Sequence, residues 1–293
     1  MNPAPSVIIF SVLSGLGFGY LALLSLGLAQ PTGWMAAFAF GLGYTLAVIG
    51  LVASTFHLGQ PMRAWRAFTQ WQSSWLSREA WLSCAALLAL LPVALRALMD
   101  QPPGLWGPVA AALCLGTVLC TTMIYAQLAT VPRWHHPLVP VTFLLFSVTG
   151  GAILLPLPWV AAVLSLTLAA VLVAGFRIGD RQFARAGSTL ATATGLGTIG
   201  TPRVFELPHT GGNYLTREMI HVVGRRHATR LRRIAVVAVA LPALILPLLP
   251  PVPGVVLAAA AHLTGAFAAR WLFFAEAEHV VGLYYGRSHS AAR

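Results

Sequence analysis

The sequence contains no lysine: all 18 of its Lys and Arg positions are arginine, and only seven residues are Asp or Glu. Charged residues make up 9% of the chain, against roughly 25% in a soluble globular domain, which excludes water as its main solvent. Cysteine is scarce as well. Cys84, Cys114 and Cys120 lie in apolar stretches without CxxC spacing, which argues against zinc or cysteine-ligated iron–sulfur sites and reads as buried packing. The N-terminus is apolar but lacks a basic leader and an A-x-A cleavage site, so it reads as a retained first span.

What is abundant is apolar surface. The 293 residues are 58% hydrophobic, include nine Trp and have a mean hydropathy of +0.78. These values imply an all-α integral membrane protein, a single polytopic domain over residues 1–293 held in the lipid bilayer. A pI near 11.0 could suggest a nucleic-acid partner, but arginines flanking apolar spans are what membrane topology requires. No nucleic-acid binding is expected.

Apolar runs between charges and Pro/Gly punctuation give about eight spans of the ~17–25 residues that cross a bilayer. The first two run near Val7 to Leu28 and Trp34 to Phe56, joined by the turn sequence Gln30-Pro31-Thr32-Gly33. The third and fourth, near Trp81 to Leu98 and Trp106 to Gln127, are separated by Asp100-Gln101-Pro102-Pro103-Gly104. Between Trp134 and Phe176 there is no charge, so Leu155-Pro156-Leu157-Pro158 divides spans five and six. Likewise Pro250-Pro251-Val252-Pro253 divides Ile234 to Ala269 into spans seven and eight.

Two long polar loops, about 57–79 and 177–233, fall on one side of this arrangement. With the other even-numbered connection and the C-terminal segment they carry Arg63, Arg66, Arg78, Arg133, ten arginines from Arg177 to Arg233, Arg287 and Arg293. The opposite face has only Arg96. The positive-inside rule then places both termini and both long loops in the cytoplasm, in a bacterial inner membrane. Trp34, Trp81, Trp106, Trp134 and Trp159 fall at span ends, as interfacial anchors do. Met219, Val223 and Leu231, spaced among basic residues over 216–233, predict an interfacial amphipathic helix facing anionic lipid or an acidic partner subunit.

The densest polar constellation joins spans two and three. His57 ends one helix and Glu79 begins the next, with Trp65, Arg66, Trp71, Trp75 and Arg78 between. Quinone chemistry moves two electrons and two protons, so its site needs donors to the ring carbonyls and groups that relay protons. Imidazole and carboxylate do both, while tryptophans offer flat neighbours to the ring. The bland alternative is a helix-end histidine and a locally paired glutamate in a solvated connector. At membrane depth ionisable groups are functional candidates by default.

The segments Ser54-Thr55-Phe56-His57-Leu58-Gly59-Gln60-Pro61 and Ser73-Ser74-Trp75-Leu76-Ser77-Arg78-Glu79 resemble the anchor subunit of dimethyl sulfoxide reductase and its relatives. The resemblance extends in span order over most of the chain, including Thr130-Val131-Pro132-Arg133-Trp134. The loop from Pro208 to Met219 looks more like the sulfite dehydrogenase anchor branch. What the resemblance implies is an eight-helix anchor whose quinone site uses His57 and Glu79 and which carries no metal of its own. It docks an iron–sulfur subunit and a molybdopterin catalytic subunit. The complex it implies is a cytoplasmic sulfite:quinone oxidoreductase acting on ubiquinone or menaquinone, or alternatively a dimethyl sulfoxide reductase oxidising menaquinol.

Other readings were open. A di-haem anchor needs histidines paired across helices at depth, but His262 alone lies well inside a span, with His57, His135, His136 and His279 near span ends. No haem is therefore expected. A transporter reading lacks an internal repeat. In span eight, Arg270, Glu276 and Glu278 suggest ion pairing with one another near the cytoplasmic end, in preference to a proton path. Gly195-Leu196-Gly197-Thr198-Ile199-Gly200 fits GxGxxG without the βαβ context a dinucleotide needs. Gly15 and Gly19 form a small-xxx-small pattern for close helix packing.

Overall fold

The computed structural model describes residues 3–58, 60–155, 157–209, 211–215, 219 and 227–286, with the side chains of His57 and Pro61 outside that description. Among these residues lie ten α-helices: α1 (Pro5–Ser25), α2 (Gly33–Ala53), α3 (Trp75–Leu98), α4 (Trp106–Ala126), α5 (Leu138–Leu154), α6 (Pro158–Arg185), the short α7 (Leu190–Thr194), α8 (Ala228–Ala240), α9 (Pro242–Leu248) and α10 (Pro251–Ala275). No strand occurs among the described residues. Seven helical segments are long and apolar enough to cross a membrane, and α5, with 17 residues, is a shorter apolar helix. One of the seven is α8 and α9 together, interrupted at Leu241-Pro242, where proline cannot donate to the preceding turn.

Helix α1 is the centre of the bundle, packing against α2, α4, α5 and α10. Small residues make that possible. A Cβ added to Gly19 would collide with the Ser147 carbonyl oxygen of α5, and one on Gly17 with the Ala47 nitrogen of α2. From the other side, a Cβ on Gly50 of α2 would collide with the Ser14 nitrogen. Such backbone-to-backbone contact maximises dispersion where lipid gives no hydrophobic drive to helix association. The α1 serines satisfy their hydroxyls within the helix, Ser14 donating to the Phe10 carbonyl at 2.6 Å and Ser25 to that of Leu21 at 2.7 Å. Ser147 donates across to the Gly15 carbonyl at 2.5 Å. A Cβ on Gly15 itself meets nothing within 4 Å, so of the two glycines in that pattern Gly19 is the one in tight contact.

The outside of the bundle is apolar. Trp34, Met35, Phe38, Leu88, Leu105, Trp106, Trp159 and Val163 are exposed, the surface expected against lipid rather than water. Trp81 is exposed with them, but Trp134 is 2% exposed. It is a core residue and not an interfacial anchor: its ring stacks on Phe273 at 5.1 Å and its indole nitrogen donates to the Phe273 carbonyl at 2.9 Å. Cys114 and Cys120 are buried as expected, whereas Cys84 is exposed on the outer side of α3.

The polar connections hold more helix than their composition suggests. Trp75, Arg78 and Glu79 belong to α3, and Arg177, Arg181 and Arg185 extend α6 beyond its apolar stretch. The expected interfacial helix over 216–233 lies mostly outside the described residues. From Ala228 onward the chain is already the start of α8.

Candidate functional site

Between α2 and α3 the chain folds into two 3-10 helices, Ser54–His57 and Pro61–Phe68, followed by a turn that enters α3 at Trp75. Side chains of α3 tie this segment down. Arg78 donates through Nε to the Trp71 carbonyl at 3.0 Å and through its terminal nitrogen to the Gln72 carbonyl at 2.6 Å. The Ser77 hydroxyl accepts from the Gln70 amide at 3.2 Å, satisfying a donor just ahead of the helix. Trp81 donates to the Phe68 carbonyl at 3.0 Å and meets the Phe68 ring edge-on at 5.4 Å.

This folding brings Trp71, Trp75 and Arg78 to one open groove, completed by Trp81, Leu82 and Cys120. The Arg78 guanidinium lies 4.4 Å from the Trp75 ring centroid, so one wall is a stacked cation and indole. Trp65 and Arg66 are not in the groove. They are exposed on the 3-10 helix, with the guanidinium 5.7 Å from the neighbouring indole. His57 ends the first 3-10 helix, but its side chain lies outside the described residues.

Glu79 turns inward. It is 4% exposed and shares the buried face of α3 with Ser77, Ser83, Ala86 and Leu90. Its Oε1 accepts a hydrogen bond from the Thr121 hydroxyl of α4. No arginine or histidine among the described residues forms an ion pair with it. An uncompensated carboxyl at this depth is costly to keep ionised. Glu79 does not line the groove, but its neighbour Arg78 does, and so does Cys120, the neighbour of its partner Thr121. Groove and carboxyl thus lie at neighbouring positions of α3 and α4 but on different faces of those helices.

The same end of the bundle carries a charge network that sequence reasoning did not find. Arg133, between α4 and α5, contacts Asp180 of α6 at 3.0 Å and Glu276, the residue after α10, at 2.5 Å. Arg232 of α8 contacts the same two carboxylates, at 2.6 Å each. Two cations and two anions therefore tie together four segments that are distant in sequence. Glu276 does not pair with Arg270, as the spacing along span eight had suggested. Arg270 is 4% exposed, has no carboxylate partner among the described residues, and rests against the faces of Phe143 (3.2 Å) and Phe146 (5.2 Å) of α5. The missed residues are Thr121, Asp180 and Arg232. A Thr121-Thr122 pair in an apolar run was the only signal for Thr121, and the positions paired with Asp180 can be known only once the helices are docked.

The profile of the DMSO reductase anchor subunit (DmsC) family matches residues 1–176, which include the groove, Glu79 and Thr121. The chain belongs to the DMSO reductase anchor subunit family. It is 32% identical to a sulfite dehydrogenase subunit of Allochromatium vinosum over 97% of this chain and 99% of that protein. It is 31% identical to a polypeptide of the anaerobic dimethyl sulfoxide reductase of Escherichia coli over 50% of this chain and 55% of that protein. A second E. coli polypeptide of anaerobic dimethyl sulfoxide reductase, YnfH, is 33% identical over 38% of this chain and 40% of its own length. No solved structure matches the sequence. As a family member with seven long apolar helices, the protein is a multi-pass membrane anchor subunit of an oxidoreductase.

Proposed function

We propose that this anchor is quinone-reactive and exchanges electrons between an iron–sulfur partner subunit and the membrane quinone pool, in a complex whose molybdopterin subunit oxidises sulfite. The observation that carries the reading is Glu79: a carboxyl buried in the bundle, bonded to Thr121 and without an ion pair among the described residues, next in sequence to Arg78 of a groove of three tryptophans and an arginine. The groove supplies flat surfaces and an apolar approach for a tailed ring. Reduction of the ring takes up two electrons from the partner and two protons. Glu79 is the group at hand to give or receive one proton, and His57, ending the preceding helix, is the second candidate.

Sulfite is favoured as the electron source because identity with the sulfite dehydrogenase subunit runs the length of both proteins, while identity with the E. coli reductase polypeptide spans half. The arginine asymmetry supports cytoplasmic termini and cytoplasmic partner subunits in a bacterial inner membrane. We also infer that the anchor carries no haem. The electron-transferring b-type haems of helical bundles are held by two axial ligands from facing helices, and His262 faces Gly150 and Phe146 of α5. The experiment is purification in mild detergent from the native membrane. The reading expects co-purifying molybdenum and iron–sulfur signals, sulfite-dependent reduction of a short-tailed ubiquinone, and a flat haem α-band. Isolation of the protein alone as a homo-oligomer would overturn it.

A further inference from the structure

Arg270 is a cation at membrane depth with no hydrogen-bond acceptor among the described residues, and it borders a cavity. It lies five residues before the end of α10, about 7 Å inside the helix end at 1.5 Å per residue. The ring faces of Phe143 and Phe146 offset part of its desolvation, but they accept no N–H. Beside it α5, α6 and α10 enclose about 90 Å³, walled by Phe143, Phe146, Phe176 and Phe273. A water takes roughly 10–15 Å³ of such space, so the cavity admits about six to nine heavy atoms, enough for a quinone ring with its two carbonyl oxygens, while ring substituents and tail stay at the mouth.

The mouth of the cavity determines what kind of ring. It is formed by Arg133, His136, Gln182 and Glu276. Arg133 is already neutralised by Asp180 and Glu276. A phosphate or carboxylate head would therefore meet the Glu276 carboxylate at the entrance and find Arg133 already paired. A neutral ring with carbonyl oxygens meets no such repulsion. Inside, it finds aromatic faces and the Arg270 donors. His136 adds a neutral donor at the mouth. Burial and the nearby Arg185 hold its pKa below the ordinary histidine value, and its Nδ1 accepts from the Leu138 amide at 3.1 Å, which leaves the proton on Nε2.

We propose that the cavity between α5, α6 and α10 is a second quinone-binding site, separate from the Glu79 groove, in which Arg270 donates to a ring carbonyl and the phenylalanines enclose the ring. It rests on the reading that the anchor handles quinone. The carboxyl that lines the cavity, Glu276, is held by two arginines and is not free to relay protons. The site binds and exchanges quinone, and proton transfer stays with Glu79.

The test uses the complete complex in phosphatidylcholine vesicles and a photoreactive azido analogue of a short-tailed ubiquinone, with labelled peptides mapped by mass spectrometry. Labelling is expected in peptides of α5 or α10 and, separately, of α3. Arg270→Met should reduce the α5/α10 label about tenfold or more, the loss expected for a hydrogen bond from a charged donor. It should leave the α3 label unchanged. Gly175→Leu is the second variant: Gly175 lines the cavity, and a Cβ there meets nothing within 4 Å. It should fill the space and remove the same label while leaving Arg270 in place. Wild-type labelling of α5/α10 in Gly175→Leu overturns the proposal, as does labelling of α3 alone in the unmodified complex. So does labelling of α5/α10 by an azido-phosphatidylglycerol with none by the quinone analogue. Absence of quinone label from both regions overturns the quinone reading of the whole protein.

Discussion

The Thr121 hydroxyl of α4 donates the one hydrogen bond that the Glu79 carboxyl of α3 receives among the described residues. Both side chains are buried, so removing the hydroxyl leaves the carboxyl without a hydrogen-bond partner among the described residues. Thr121→Val keeps the shape and should lower stability by about 1–3 kcal/mol, the cost of an unsatisfied buried polar group. Thr121→Ser should retain most of it. Thermal unfolding of the detergent-solubilised protein distinguishes the two, and equal unfolding temperatures for Val and Ser would show that the bond contributes little.

Helix packing gives a second pair of variants. Gly19→Ala drives a methyl into the Ser147 carbonyl of α5, whereas Gly15→Ala points one into open space. Gly19→Ala should destabilise the bundle by roughly 1–3 kcal/mol through overpacking. Gly15→Ala should be neutral or gain up to about 1 kcal/mol from helix propensity. Unfolding curves of the two variants side by side check this, and the reverse order would be inconsistent with the α1–α5 contact.

The charge network should respond unequally to loss of its two anions. Glu276 is nearly buried, with a side chain 6% exposed, while that of Asp180 is 46% exposed. Glu276→Gln leaves Arg133 and Arg232 to share Asp180 alone and removes the buried anion, costing up to about 3 kcal/mol. Asp180→Asn, screened by solvent, should cost about 1 kcal/mol or less. Unfolding in low and high salt checks both: the Asp180 effect should shrink with salt and the Glu276 effect should persist.

Arginine placement predicts topology. A reporter fused after the C-terminus should behave as cytoplasmic, with alkaline phosphatase inactive and a fluorescent protein bright. Active phosphatase at that position would invert the bundle and move the docking face for the partner subunits to the other side of the membrane.

Much of the fold was legible because membrane helices announce themselves by length and apolarity. The turns at Gln30-Pro31, Asp100–Gly104 and Pro250-Pro251 were readable from proline and glycine. The reading missed where tertiary docking decides. Trp134 has the composition of an anchor but stacks inside on Phe273. Glu276 follows an arginine six residues earlier in sequence but pairs with Arg133 and Arg232. At the site, local sequence was enough to bring Trp71, Trp75 and Arg78 together, since they lie within one turn and the start of α3. That Glu79 would turn away from them, toward Thr121, depends on which side of α3 meets α4, and no local pattern reveals that.

The central claim is that Glu79 and His57 serve quinone chemistry and not assembly. Glu79→Gln keeps the side-chain volume and can still accept from Thr121, so the bundle should form. Membranes carrying Glu79→Gln, and separately His57→Ala, should be assayed for sulfite oxidation with ubiquinone and with an artificial acceptor that takes electrons before the anchor. The account predicts loss of the quinone-linked rate by about 100-fold, as expected for removal of a proton-transferring group, with the artificial-acceptor rate retained. Normal quinone-linked turnover in both variants would contradict it.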